Sequence, residues 1–111
     1  MDKSLLGEFE ELVLLAAHGL DGRAYTVSIQ ERIERRTGRS AALGAIYTAL
    51  KRLRQKGYLA SEMSEVTPRK GGKRKRLYTV TAAGVEALYR TRQARDRLWE
   101  DVPGKPSWIL S

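Results

Sequence analysis

The chain has no cysteine and one histidine, His18. Without thiols there is no disulfide framework and no thiolate metal site. A single imidazole near the end of the first expected helix reads as a surface or capping residue, not a ligand or base. Aromatic residues make up only 7% of the chain, which argues against the stacking platforms that read RNA. No apolar run approaches the roughly 20 residues of a membrane span. The start, MDKSLLGEFEELVLL, is acidic after Lys3 and lacks a signal-peptide layout. No glycine-rich phosphate loop stands between a strand pattern and a helix pattern. Glu8, Glu10, Glu11, Glu31 and Glu34 fall at helix-surface spacings, with nothing to mark a catalytic pair or a metal site. These absences lead us to expect a cytoplasmic protein that is not an enzyme and needs no metal or cofactor.

What is present is basic charge, unevenly placed. The 111 residues, 41% hydrophobic and 31% charged, suit one small domain with one core. Of a net charge of +8, residues 69–76 carry +6 and residues 39–60 carry +5, leaving the rest at −3. Two compact segments thus hold all the excess positive charge, the footprint of a polyanion binder.

One of them contains the stretch on which the chain is organised, ALGAIYTALKRLRQKGYL at 42–59. Ile46, Leu50 and Leu53 fall at i, i+4 and i+7 and share one helix face. Tyr47, Thr48, Lys51, Arg52, Arg54 and Lys56 occupy the other faces. The apolar face needs a core and the basic face an anionic partner. Gly57 then stops the helix.

Around it the pattern predicts a mainly α fold with a small β-hairpin. A first helix is expected over 4–20, with Leu5, Phe9, Leu12, Val13, Ala16 and Leu20 as its stripe. A second is expected over 27–36, N-capped by Thr26, with Val27, Ile29 or Gln30, and Ile33 inward. A short helix, a glycine-containing turn and the basic helix make a helix-turn-helix, whose second helix enters a major groove. Strands are expected at 59–66 and 77–81, joined by a basic tip around Gly71-Gly72. That hairpin is the wing of a winged helix. Thr81 is placed as N-cap of a last helix over 82–101, with Gly84 in its first turn for close packing. Val85, Leu88 and Tyr89 are expected to face inward, beside a second stripe of Ala87, Ala94 and Leu98 that Trp99 closes. That stripe needs cover, either from a second copy of the chain or from helix one of the same chain. Pro103, Gly104 and Pro106 end the helix and leave a tail at 102–111, in which Trp108-Ile109-Leu110 is apolar. The organisation expected is a winged helix-turn-helix at 1–81, a dimerisation helix at 82–101 and the tail.

Three segments resemble the PadR-like transcriptional regulators: LGAIYTALKRLRQKGYL, the basic hairpin and RLYTVTAAG. The motifs are Gly44-x-x-Tyr47-x-x-Leu50-x-x-Leu53-x-x-x-Gly57 and Tyr78-x-x-Thr81-x-x-Gly84, within a resemblance spanning about residues 5 to 100. It is to the smaller subfamily, in which one C-terminal helix builds the dimer. Thr48 departs from the proline that many relatives carry after the tyrosine. The resemblance implies a bacterial, dimeric repressor. It also implies a pocket for a small planar effector between subunits, around Trp99, with Leu5 and Phe9 as its other wall and Asp96 favouring a positive ligand.

The expected function is therefore sequence-specific binding of double-stranded DNA, at a palindromic operator. Phosphate contacts fall to Lys51, Arg52, Arg69, Lys70, Lys73, Arg74, Lys75 and Arg76. Ser40, Ala42, Gly44, Ala45, Tyr47 and Thr48 stand at the leading end of the recognition helix, where the small residues allow close approach. Val85, Leu88, Tyr89, Ala94, Leu98 and Trp99 are expected at the dimer interface. The alternative is a winged-helix protein-interaction module without DNA binding, which would need an apolar recognition helix.

Overall fold

The computed structural model describes residues 4–64 and 74–104. It runs α1 (Glu8–Leu20), α2 (Thr26–Thr37), α3 (Leu43–Gln55), β1 (Leu59–Met63), β2 (Arg76–Val80) and α4 (Ala82–Glu100). This is the mainly α, winged helix-turn-helix architecture expected. Positions 65–73, which include the expected turn at Gly71-Gly72, and positions 105–111 lie outside the described residues.

The helices stack on one apolar centre. Val13, Leu14 and Ala17 of α1, Ile29 and Ile33 of α2, and Ile46, Ala49, Leu50 and Leu53 of α3 are buried together. Fully burying each such leucine or isoleucine contributes roughly 1.5–3 kcal/mol, so this face sets how the three helices sit. β1 and β2 pair antiparallel, with Leu59 opposite Val80 and Ser61 opposite Tyr78. Tyr78 also donates its N–H to the carbonyl of Ala24 at 2.8 Å. This bridge anchors the hairpin on the α1–α2 connection, and the sequence pattern did not reveal it.

Several boundaries differ from expectation for local reasons. α1 starts at Glu8 because residues 4–7 are needed elsewhere: the Leu6 N–H donates to Thr91 Oγ1 at 3.1 Å, tying the chain's start to α4. Leu6 and Leu14 are buried, whereas Leu5 is exposed. Thr26 is the first residue of α2, not its cap. Tyr25 takes the cap position, and its N–H is satisfied by Ser28 Oγ at 2.9 Å. Val27 is exposed. Thr81 does cap α4, accepting from the Gly84 N–H at 3.1 Å.

The inward face of α4 is also shifted. Gly84, Ala87, Leu88 and Thr91 are its buried residues, while Tyr89 is 63% exposed. The first half of α4 thus folds back on α1 of its own chain, and beyond Thr91 the helix has no fully buried residue. Cover by the same chain and cover by a second copy apply to different halves of one helix.

Gly84 is where α4 meets the end of α3. A Cβ there would overlap the carbonyl oxygen of Tyr58 and lie 2.8 Å from Val80 Cγ1. In an open helix Gly→Ala gains about 1 kcal/mol. Here overpacking should reverse the sign, and Gly84→Ala should lose about 1–3 kcal/mol in urea unfolding. An unchanged or raised midpoint would show that this contact yields.

Candidate nucleic-acid interface

α3 begins at an extended Ala42 and ends where Lys56 caps it and Gly57 turns at φ 81°. That left-handed turn suits glycine and lets the Tyr58 N–H reach the carbonyl of Leu53 at 2.9 Å. The α2–α3 connection is held by Gln30, whose Nε2 donates to the carbonyl of Ala41 at 2.8 Å. With Ile46, Ala49, Leu50 and Leu53 inward, Ala42, Leu43, Gly44, Ala45, Tyr47, Thr48, Lys51, Arg52 and Arg54 are left exposed on one surface, with Ser40 just before them. Tyr47 is 59% exposed. The Thr48 hydroxyl donates to the Gly44 carbonyl at 3.0 Å, which leaves its oxygen lone pairs facing outward.

The cations divide into two groups. Those turned toward α1 are paired: Arg39 meets Glu8 at 2.6 Å and lies over the ring of Phe9, and Lys56 meets Glu10 at 2.7 Å. Arg95 of α4 meets the buried Glu11, also at 2.6 Å. Three first-turn glutamates of α1 thereby hold the α2–α3 connection, the end of α3 and α4. Those turned outward, Lys51, Arg52, Arg54, Arg74 and Arg76, have no carboxylate partner among the described residues. Lys75 stands between the groups, its ammonium 4.0 Å from the centre of the Tyr25 ring. Arg69, Lys70 and Lys73 lie outside the described residues. Arg54 was read from the sequence only as part of a basic face. Its place seven residues after Tyr47, on the same stripe as Lys51, was the signal available.

The residues expected at a dimer interface do not all share one environment. Leu88 is buried in the chain's own core. Val85 and Tyr89 line a groove of about 240 Å³ with Leu15 and His18 of α1. Ala94 is half-buried, while Leu98 is 70% exposed and Trp99 43%. Leu98, Trp99, Val102 and Arg95 enclose a cavity of about 200 Å³. Within one chain Leu5, Phe9 and Asp96 do not line that cavity: Phe9 sits under Arg39, and Asp96 is 3.8 Å from Arg92. Among the described residues no three His, Cys, Asp or Glu side chains gather as a metal site, and no helix is long and apolar enough to cross a membrane.

The sequence profile of the Transcriptional regulator PadR-like family matches residues 14–90, from α1 into α4. The chain belongs to that family. Solved PadR-like structures share its fold. A PadR-like transcription factor from Bacteroides fragilis superposes with a TM-score of 0.71 at 24% identity, over 83% of this chain and 84% of that one. A PadR family transcription regulator from Clostridium difficile gives 0.65 at 22% identity, over 81% and 91%. One from Eggerthella lenta gives 0.66 at 24%, over 84% and 80%. Comparison with curated proteins returns no significant match. It is this family membership that makes the chain a PadR-like regulator and not an enzyme. The motif glycines Gly57 and Gly84 and the motif residues Tyr78 and Thr81 all meet behind this regulator's basic surface.

Tyr78 packs between that surface and the core. Burial pushes its phenol above the ordinary value near 10; Arg76 and Arg54 pull it back down, and Tyr47 adds a small upward push. Because the folded value is the higher one, the folded state keeps its proton longer than the unfolded chain. The associated stability is fully present below about pH 10 and is lost as pH rises through the folded value. Thermal unfolding followed across that range should show a steeper alkaline loss in wild type than in Tyr78→Phe. Identical slopes would mean that the phenol is not desolvated.

Proposed function

We propose that this PadR-like regulator is a sequence-specific repressor that binds double-stranded DNA as a homodimer at a palindromic operator. The observation that carries the reading is the division of the cations. Glutamates of α1 neutralise the inward ones, whereas those on the outer face of α3 and on β2 are left uncompensated. A recognition helix led by Ala42, Gly44 and Ala45 can approach base edges closely. Tyr47 reaches past them, and Thr48 presents an acceptor to base amino groups. Lys51, Arg52, Arg74, Lys75 and Arg76 would supply phosphate contacts, joined by Arg69, Lys70 and Lys73 of the wing. The alternative of a protein-interaction module needs an apolar recognition face. On α3 the exposed large apolar groups are only Leu43 and Tyr47, set among unpaired cations.

A duplex selected from a randomised pool by the wild-type protein tests this. Lys51→Ala with Arg52→Ala should weaken binding to all sequences and lower the slope of log affinity against log salt by about 2. Tyr47→Ala and Thr48→Ala should instead erode the preference for the selected duplex over bulk DNA. Failure of folded wild-type protein to select any sequence would sink the reading.

For the dimer, what supports the reading is the apolar surface on α1 and α4 that one chain leaves open, at Leu15, Tyr89, Leu98 and Trp99. Two recognition helices would then stand about 34 Å apart, one turn of DNA. Leu88 is unsuitable for testing this because it is part of the core. Tyr89→Asp and Leu98→Asp should each shift sedimentation toward monomer while leaving helix content unchanged. An unaltered dimer in both would place the contact elsewhere. We extend the proposal to a planar cationic effector held near Trp99 and its copy, since that cavity is apolar. Quenching of tryptophan fluorescence by planar cationic dyes, abolished in Trp99→Ala, is the expected result.

A further inference from the structure

A cleft of about 440 Å³ opens between the last turns of α3 and the start of the hairpin. Its walls are Lys51, Arg54 and Gln55 on the helix and Leu59, Ala60 and Ser61 on β1. Ser61 stands opposite Tyr78 in the strand register, so it shares a sheet face with Tyr78 and with Arg76 two residues before it. Arg76 Nη1 donates to Ser61 Oγ at 3.0 Å and so leans across that face toward the cleft. Ser61 Oγ is used here as an acceptor. Its own proton has no acceptor among the described residues, so the hydroxyl is free to donate outward.

Three cations, Lys51, Arg54 and Arg76, therefore meet at one cleft that no carboxylate lines. Like charges at close quarters repel, and water screens them only in part. An anion between them would relieve that repulsion and gain charge-assisted hydrogen bonds from guanidinium groups and a hydroxyl. Both arginines also act electrostatically on the buried phenol of Tyr78, which sets them on the same side of the sheet. Tyr47, Lys51 and Arg54 form one stripe at i, i+4 and i+7 of α3, so the cleft continues the surface that carries Tyr47.

We propose that Lys51, Arg54, Ser61 and Arg76 form a seat for one phosphodiester of the DNA backbone, held between the recognition helix and the wing. The proposal rests on the DNA-binding reading and adds Arg54 and Ser61 to it. The seat draws donors from two elements, so an occupied seat joins α3 to the hairpin and sets the angle at which the wing meets the duplex. It reports backbone position and not base identity.

The test uses the full chain, its wild-type-selected duplex and a set of duplexes in which one phosphate at a time is replaced by an uncharged methylphosphonate. Wild type should lose about tenfold in affinity at one position per half-site. Arg54→Ala should bind the unmodified duplex about tenfold more weakly, with a salt slope lower by about 1. The same variant should be indifferent to the methylphosphonate at that one position and respond normally elsewhere. Ser61→Ala should show a smaller loss at the same position, with sequence preference unaltered. Circular dichroism shows whether each variant keeps its helix content, and Arg54→Lys, which retains charge without the guanidinium fork, should recover the salt slope and only part of the affinity. Wild-type affinity in both Arg54→Ala and Ser61→Ala would overturn the seat while leaving DNA binding intact. So would methylphosphonate losses that add to the Arg54→Ala loss at every position. Failure of wild type to bind any duplex would overturn the DNA reading and the seat together.

Discussion

The architecture turns on one close approach of backbone to backbone, where the end of α3 meets the start of α4. Gly57 turns the chain so that Tyr58 can enter the hairpin, and the Tyr58 carbonyl accepts from the Thr81 N–H at 3.0 Å. The Thr81 hydroxyl donates to the Gly57 carbonyl at 2.7 Å and accepts from the Gly84 N–H. Gly84 lies against Tyr58 with no room for a side chain. Through these four residues, the helix proposed to read DNA and the helix proposed to join two copies are anchored to the same few atoms. Between them the hairpin leaves and returns within one junction, so the wing's base is also set there. A displacement of α4 relative to α1 would have to pass through this junction to reach α3, and so it offers a short mechanical route between the two ends of the molecule.

Electrostatics gives that frame a direction. α1 places Glu8, Glu10 and Glu11 in its first turn, where the helix dipole favours them. Their larger role is between elements, because each carboxylate reaches a cation from a different part of the fold. Exposed pairs of this kind add little stability. Glu11 differs because its carboxylate is buried, and Arg95 provides the cation that such a group requires. The consequence for function is subtraction: with Arg39 and Lys56 engaged, the unpaired positive charge is confined to the outer side of α3 and the wing strand.

α4 combines two kinds of helix in one run. Its first half has a narrow buried stripe and a hydrogen bond from Leu6, so it belongs to the chain's own core. Its second half keeps Leu98 and Trp99 in solvent and has surface pairs such as Arg92 with Asp96. A helix end with large apolar groups exposed is costly for an isolated chain. This open surface continues onto the groove between α1 and α4, beside Leu15 and Tyr89.

Much of this was legible in the residue pattern. Helical spacing in 42–59 identified α3 and its buried face, since Ile46, Leu50 and Leu53 repeat on one side of a 3.6-residue turn. Turn and cap chemistry located Gly57 and Thr81, and the otherwise unfavourable Gly84 signalled close packing before any contact was known. Net charge by segment marked the basic surface. Periodicity could not say that Leu6 rather than Leu5 is buried, because that depends on a hydrogen bond to Thr91, 85 positions away. Nor could it show that Tyr25 displaces Thr26 as cap or that Ala24 bridges to Tyr78. Within α4, alternate apolar stripes were both plausible, and only the position of α1 decided that Ala87 and Leu88 face inward while Tyr89 does not. The sequence by itself determined the element order, the recognition helix and the total positive charge, because these follow from local spacing and composition. Tertiary structure alone decided which cations are neutralised and which stand free, because pairing depends on distances between elements that are remote in the chain.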